Sequence, residues 1–282
     1  MEVVILADAK EIGAIAADAI GDLIDRKPDA VLGLATGSSP LVIYDELATR
    51  RAAGLISFAQ ARGFTLDEYV GLPADHPERY RNVIDKVFVR RVDFAPGAVQ
   101  GPDGLAADIP AACAAYENAI REAGGVDLQI LGIGTDGHIA FNEPGSSLAS
   151  RTRIKTLTRQ TRLDNARFFG DVLDAVPTHC VTQGLATIMS ARHVLLVATG
   201  AGKAEAVHHL VEGAVSAMWP GTILQHHFSR TRRTDAIGRR PAFAQRIVEL
   251  NRDRIVRHRI AVGAQPGPQT IIGAGRREIC SK

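Results

Sequence analysis

The chain has 282 residues, 46% of them apolar, enough for one sizeable α/β domain or two small ones with a buried core. Its three cysteines, Cys113, Cys180 and Cys280, lie far apart without a C-x-x-C pair, so neither a disulfide framework nor a zinc site is suggested, and thiols in a reducing compartment are expected. The net charge of +2 is unevenly spread: residues 1–225 hold 20 Lys/Arg against 27 Asp/Glu, a formal −7, and residues 226–282 hold 13 against 4, a formal +9.

The apolar run 3–7, broken by Asp8, suits a first strand better than a signal peptide, and no later segment approaches membrane-spanning length, so a cytoplasmic protein is expected. Ile12, Ile15, Ala16, Ala19, Ile20, Leu23 and Ile24 then recur at helical spacing. A second short apolar run, 31–35, leads through TGSSP (36–40) into a helical stretch with Leu41, Tyr44 and Leu47 on one side. Ser39 is placed to cap that helix and Pro40 to sit at its first position. Further strands are predicted at 63–66, 127–133, 193–198 and 222–225, with helices near 77–90, 110–123 and 203–211. The alternation predicts an α/β fold in a single domain, 1–225: an open, mostly parallel sheet with helices on both faces, a Rossmann-like three-layer sandwich.

Ligands of such sheets sit beyond the carboxyl ends of strands. Four polar segments fall there: TGSSP, DEYVGLP (67–73), GTDGHIAFNEP (134–144) and TGAGK (199–203). After Thr36, the small residues Gly37, Ser38 and Ser39 let backbone N–H groups approach a ligand at a helix N-terminus, which favours phosphate; the same residues also fit a plain strand-to-helix turn. Lys203, at the start of a helix, is either a counter-charge or a surface lysine. The run is not a Walker A loop, because Val197 stands where its first glycine would be and Ala204 follows the lysine. Asp67 and Glu68 close the third predicted strand; an ionised carboxylate there is a general base if held beside an acidic C–H, and otherwise a turn residue facing water.

In the 134–144 segment, Gly134 and Gly137 flank Asp136 and His138. A histidine titrates near neutrality, and a carboxylate on one ring nitrogen fixes the tautomer at the other. Glu143 adds a second carboxylate. The set suits moving protons on a sugar ring oxygen and hydroxyls, with a satisfied structural histidine as the alternative. No HxH or HExxH spacing supports a metal, and the adjacent His208 and His209 point in different directions. RTRIKTLTR (151–159) alternates so that Arg153 and Lys155 share one face of an extended segment, generically a solvated strand face.

Together, GLATGSSP, LDEYVGLPADHPERY, LGIGTDGHIAFNEPGSSLASRTRIKTLT, ARFFG and VPTHCVTQGLATI resemble the glucosamine-6-phosphate deaminase family over about four fifths of the chain, to about Gln225. The resemblance implies isomerisation and deamination of glucosamine 6-phosphate to fructose 6-phosphate and ammonia, within amino-sugar and N-acetylglucosamine catabolism, with no metal or organic cofactor. It implies that Asp67 shuttles a proton between C2 and C1 of the open-chain sugar. It further implies that His138, oriented by Asp136 and Glu143, assists ring opening, and that Thr36 with its loop, Arg167 and Lys203 anchor the phosphate. In allosteric members of the family, which are hexamers, Ser146, Arg153, Lys155 and Thr156 correspond to an intersubunit site for N-acetylglucosamine 6-phosphate. A hexamer with that activator is therefore implied, although other members are monomeric and unregulated. No membrane or nucleic-acid partner is implied.

The nearest rival is a 6-phosphogluconolactonase-like hydrolase, which shares the fold and a GxDGH-like loop, but IAFNEP and LDEYVG favour the deaminase. A non-catalytic sugar-phosphate sensor would be expected to lose the acid/base set or carry a helix-turn-helix domain; here Asp67, Asp136, His138 and Glu143 are all present. Thr135 replaces an asparagine common in the family, a small polar change expected to be tolerated. After Gln225 the family pattern gives way to HHFSRTRRTDAIGRRPAFAQ. Residues 226–282 are thus read as a divergent basic tail, either a genuine extension basic enough to contact nucleic acid or acidic partners or the product of a reading-frame change near Gln225.

Overall fold

The computed structural model describes residues 1–227, so the basic tail expected at 226–282 lies, but for its first two residues, outside the described residues. The first helix is started by a reciprocal cap. Asp8 Oδ1 accepts the Glu11 N–H at 2.8 Å, and Glu11 Oε2 accepts the Ala7 N–H at 2.8 Å. From there α1 (Ala9–Arg26) buries Ala16, Ala19, Ile20 and Ile24 of the stripe the sequence periodicity marks, together with Ala17, while Ile15 of that stripe is 38% exposed. Residues 3–7, expected as a strand, form none: no sheet neighbour flanks them among the described residues, and the cap at Asp8 commits them to helix entry.

The fully buried β1 (Val31–Leu34) runs through 36–40 into α2 (Leu41–Ala52). Pro40, not Ser39, holds the N-cap position, its φ of −70° already helical and its carbonyl accepting from Tyr44 N–H. Along the chain follow β2 (Arg62–Thr65), β3 (Asp67–Tyr69), α3 (Tyr80–Val87), β4 (Val99–Gln100), α4 (Ile109–Glu122), β5 (Leu128–Leu131), β6 (Arg153–Thr156), α5 (Arg159–Ala166), β7 (His179–Thr182), α6 (Leu185–Ile188), β8 (His193–Leu196) and α7 (Ala204–Glu212). Residues 222–225, expected as a strand, lie instead in a 3₁₀ helix, Pro220–His226. Thr222 Oγ1 donates to the Trp219 carbonyl at 2.7 Å and accepts the Ser216 N–H at 2.8 Å, which folds the backbone on itself rather than against a neighbouring strand.

Five strands pair in parallel in the order β4-β2-β1-β5-β8. Successive side chains of a strand face opposite ways, and each face here has its own cover. Leu32 and Leu34 pack with Ile20, Ile43, Leu47 and Leu210 of α1, α2 and α7. Val31 and Phe64 pack with Tyr116 and Ile120 of α4. Helices thus cover both faces, as the alternating pattern predicts. The chain builds outward from β1 through β2 to β4 on one side, then returns to β5 and β8 on the other. The order therefore reverses between β1 and β5, and open α/β sheets hold ligands in the crevice beyond the carboxyl ends of the strands at such a reversal.

A second sheet, β3-β7-β6, is antiparallel and was not expected. Its register sets Asp67, Thr182 and Arg153 in one row and Tyr69, Cys180 and Lys155 in another.

At the amino ends of the parallel strands, Asp127, 3% exposed, ties the sheet together. Its Oδ2 accepts the Val31 N–H at 2.8 Å and meets Lys27 Nζ at 3.1 Å, while Oδ1 accepts from Arg192 Nη1 at 2.9 Å. Both cations are half-exposed and can return to water, so the main loss on truncation is the orphaned Val31 donor. Asp127→Ala is expected to destabilise the fold by about 2–3 kcal/mol, measured as a lower urea midpoint with an unchanged m-value.

Candidate active site

The crevice gathers the predicted loops. The Ser39 and Thr199 hydroxyls lie 3.3 Å apart, joining the loop after β1 to the loop after β8. Lys203 follows in the second of these. Burial lowers its proton affinity and Arg167 lowers it further, while the charges of Asp164 and Asp136 raise it; the net shift is downward. Those interactions bring Lys203, Arg167 and Asp136 into one neighbourhood from three separate segments. Arg167 is exposed just past α5, its guanidinium 4.7 Å from the Phe168 ring centroid. Thr36 is half-buried, Ser38 is exposed, and Gly37 adopts φ +103°, a conformation that turns the loop and suits glycine. The small-residue loop is thus joined, through Ser39 and Thr199, to the loop that carries Lys203.

The loop after β5 is wound around a histidine. Gly134 N–H donates to the His138 carbonyl at 2.8 Å, and Gly137 N–H to the Gly134 carbonyl at 3.1 Å. The His138 ring lies so close over Gly134 that a Cβ there would meet its Cε1 at 2.2 Å, so only glycine fits. Asp136 Oδ1 accepts the His138 backbone N–H at 3.2 Å and lies 2.6 Å from the ring Nδ1. Burial raises the Asp136 pKa, but the ring contact and the His138 charge outweigh it and hold this carboxyl below its usual value. Nδ1 thus lies beside the Asp136 carboxylate, and Nε2 is the ring nitrogen away from it.

Asp67 and Glu68 begin β3, just past the carboxyl end of β2, and are 6% and 2% exposed. Their surroundings differ. Glu68 accepts the N–H groups of Tyr69 and Tyr80 on Oε1 and of Arg81 on Oε2, with Arg79 Nε 3.7 Å from Oε2. It thereby caps α3 from outside the helix, a role no spacing in the sequence announces. Burial still raises its pKa, against those hydrogen bonds and the Arg79 charge. The Asp67 carboxylate accepts no hydrogen bond from the described residues. Burial, then the neighbouring Glu68 charge, pushes its pKa up to about 8.

Glu143, 2% exposed, does not reach His138. Its carboxylate accepts from Thr158 N–H at 3.0 Å, from the Thr158 hydroxyl at 2.9 Å and from the Thr161 hydroxyl. It thus tethers the end of the histidine loop to the start of α5, the helix that ends beside Arg167. Among the expected effector residues, Arg153 and Lys155 do share the inward face of β6, half-buried, whereas Thr156 lies on the opposite, exposed face. Ser146 is buried, with its hydroxyl oxygen unpaired among the described residues. No group of three or more His, Cys, Asp or Glu among the described residues is arranged to hold a metal ion.

The family model described as glucosamine-6-phosphate isomerases/6-phosphogluconolactonase matches residues 7–232. The glucosamine-6-phosphate deaminase of Mycolicibacterium smegmatis is 82% identical over 227 residues, covering 80% of this chain and 87% of that protein. The solved structure of a monomeric glucosamine-6-phosphate deaminase superposes with a TM-score of 0.79 at 42% identity, covering 81% of this chain and 94% of that one. The 6-phosphogluconolactonase of Trypanosoma brucei superposes with a TM-score of 0.63 at 21% identity, covering 78% and 92%, and so shares the fold.

The environment of Asp67 has a consequence for stability. A carboxyl whose folded pKa lies above its unfolded value is stabilising when protonated, and that contribution is lost as pH rises from the unfolded value through the folded one, here about 8. Asp67→Asn is thus expected to raise the melting temperature at pH 9, by on the order of 5 °C if about 2 kcal/mol is relieved, and by much less at pH 5. Calorimetry at the two pH values checks this; equal shifts at both would contradict it.

Proposed function

We infer, on the premise that this chain belongs to the family of glucosamine-6-phosphate isomerases and 6-phosphogluconolactonases, that it converts glucosamine 6-phosphate to fructose 6-phosphate and ammonia. The observation that carries the reading of the site is Asp67: a buried carboxylate without hydrogen-bond donors, beside a second carboxylate that has them. Such a group is a stronger base than an ordinary aspartate and is ionised in slightly alkaline solution.

On this reading the pyranose ring opens first. A proton must reach the ring oxygen and another must leave the C1 hydroxyl, and the unengaged Nε2 of His138 suits that exchange. Ionised Asp67 then takes the proton from C2. The freed electron pair forms the C1–C2 double bond of an enolamine as the C1 carbonyl oxygen takes up the proton that the C2 ammonium group releases and becomes a hydroxyl. Asp67 returns its proton to C1, leaving an imine at C2, and water adds there to expel ammonia. Every step is a proton transfer or the addition and loss of a small nucleophile, so no change of oxidation state in an external partner is required. The 36–39 loop, Arg167 and Lys203 would hold the phosphate. The lactone-hydrolase alternative shares the fold and the family description, but the 82%-identical relative is a deaminase, and a sensor would have no use for a base so unfavourably buried.

The same reading extends to regulation. Ser146, Arg153, Lys155 and Thr156 would form a site for N-acetylglucosamine 6-phosphate within a hexamer, placing the enzyme in N-acetylglucosamine catabolism in the cytoplasm, where phosphorylated sugars are retained by their charge. Support comes from β6, which turns two cations inward and Ile154, 43% exposed, outward, the reverse of an ordinary amphipathic strand. The unpaired Ser146 hydroxyl adds to it. The 42%-identical relative described as monomeric is the natural contrast.

Purified protein is expected to release ammonia and fructose 6-phosphate from glucosamine 6-phosphate, with kcat/KM rising as pH climbs through about 8. Asp67→Asn should reduce kcat by about 10²–10⁴-fold; a folded protein without activity would refute the assignment. For the regulatory reading, light scattering should give a hexamer, and N-acetylglucosamine 6-phosphate should convert a sigmoidal substrate curve to a hyperbolic one. A hyperbolic curve untouched by that compound would end it.

A further inference from the structure

The residues so far given roles sit on different segments: His138 on the loop after β5, Asp67 on β3. The two segments are linked through a buried amide. Asn142 is fully buried, and each of its side-chain hydrogen-bonding groups is engaged. Nδ2 donates to the Ile139 carbonyl at 3.1 Å and to the Gln183 carbonyl at 2.8 Å, while Oδ1 accepts from Arg153 Nη1 at 3.0 Å. The backbone N–H of Asn142 also donates to the Ile139 carbonyl, at 3.1 Å, closing a tight turn immediately after His138. Within that turn Ala140 stands at φ +50°, a left-handed conformation that costs a side-chain-bearing residue about 1–3 kcal/mol. The turn therefore needs external bonds to persist.

The far partner of the amide leads directly to the base. Gln183 N–H donates to the Leu66 carbonyl at 2.8 Å, and its Nε2 to the Thr65 carbonyl at 3.0 Å, so Gln183 grips the two residues that precede Asp67. Beside it, Thr182 pairs with Asp67 across the antiparallel ladder, and its hydroxyl accepts the Phe141 N–H at 3.2 Å. The Asn142 amino group is thus bonded both to the turn that follows His138 and, through Gln183, to the segment that carries Asp67, while the amide oxygen takes Arg153.

We propose that Asn142 is a positioning residue that sets the histidine loop against the Asp67 strand, with Arg153 holding its amide in that orientation. It touches neither substrate nor reacting atoms; it fixes the separation of the two groups that do. The inference rests on the deaminase reading. Misplacing a catalytic group by about 1 Å costs on the order of 10²-fold in rate while leaving ground-state binding largely in place, so loss of the amide should appear in kcat.

The test compares full-length wild type with Asn142→Asp, Asn142→Ala and, as a stability control remote from the crevice, Asp127→Ala, without effector. The Asp variant keeps the acceptor for Arg153 but loses both donations, so it separates the bridge from the Arg153 contact. Expected is a fall in kcat of about 10–100-fold in both Asn142 variants, with KM changed by less than about 3-fold. The acid limb of kcat/KM should stay near pH 8, while Asp127→Ala loses melting temperature and keeps kcat. Near-wild-type kcat in folded Asn142→Asp would overturn the proposal. So would an acid limb moved toward the ordinary carboxylate range, because it would mean that the substitution had merely let water reach Asp67. Should the Asn142 variants not fold, Arg153→Met, which frees the amide oxygen, takes their place: a several-fold fall in kcat supports the proposal and an unchanged kcat overturns it. Failure of the deaminase reading is recognised separately, since wild type itself would then release no ammonia.

Discussion

Two adjacent carboxylates buried side by side are the constraint around which this protein is arranged. Ionised carboxylates in a low-dielectric setting repel each other and lose their hydration, and folding tolerates them only where other groups compensate. Glu68 is compensated by three backbone N–H groups, two of them the otherwise unpaired donors at the start of α3, and by the nearby Arg79. Asp67 is not. The helix that serves Glu68 is thus held in place by the need to satisfy it, and the discomfort is concentrated on the one residue whose chemistry benefits from being a reluctant carboxylate.

The position of that pair follows from the sheet. After β2 the chain leaves the parallel sheet and enters the antiparallel one through Asp67, so the base stands at the junction of the two. The parallel sheet supplies the loops after β1, β5 and β8; the first and last touch through Ser39 and Thr199, and Lys203 of the last feels the charge of Asp136 on the middle one. The antiparallel sheet brings Arg153, through Thr182, into the same row as Asp67. One sheet frames the crevice, and the other carries contacts from its outer strand back to the base.

Much of this was legible in the sequence, where local rules operate. The stripe of α1, the buried parallel strands and the Asp136–His138 pairing follow from periodicity and from a two-residue spacing around glycines. What was not legible depends on distant partners. Residues 3–7 and 222–225 have the composition of strands but no ladder neighbour among the described residues. Of the antiparallel strands, β6 is announced by its alternation, whereas β3 and β7, three and four residues long, are too short for any period to mark them. Ser39 has the chemistry of a cap, yet its hydroxyl faces Thr199, 160 residues away. Glu143, expected to orient His138, is held instead by Thr158 and Thr161, a partnership visible only once β6 and α5 have folded beside it.

The inversion of β6 bears on how the protein behaves in crowded solution. Among the described residues β6 is one of the two outer strands of its sheet, and outer strands are ordinarily kept from sticking to other chains by charges pointing into water. Here Arg153 and Lys155 are turned inward, leaving Ile154 and Thr156 to face out. The strand has given up its own electrostatic gatekeepers, so colloidal protection of this edge must come from elsewhere on the molecule or from whatever covers it.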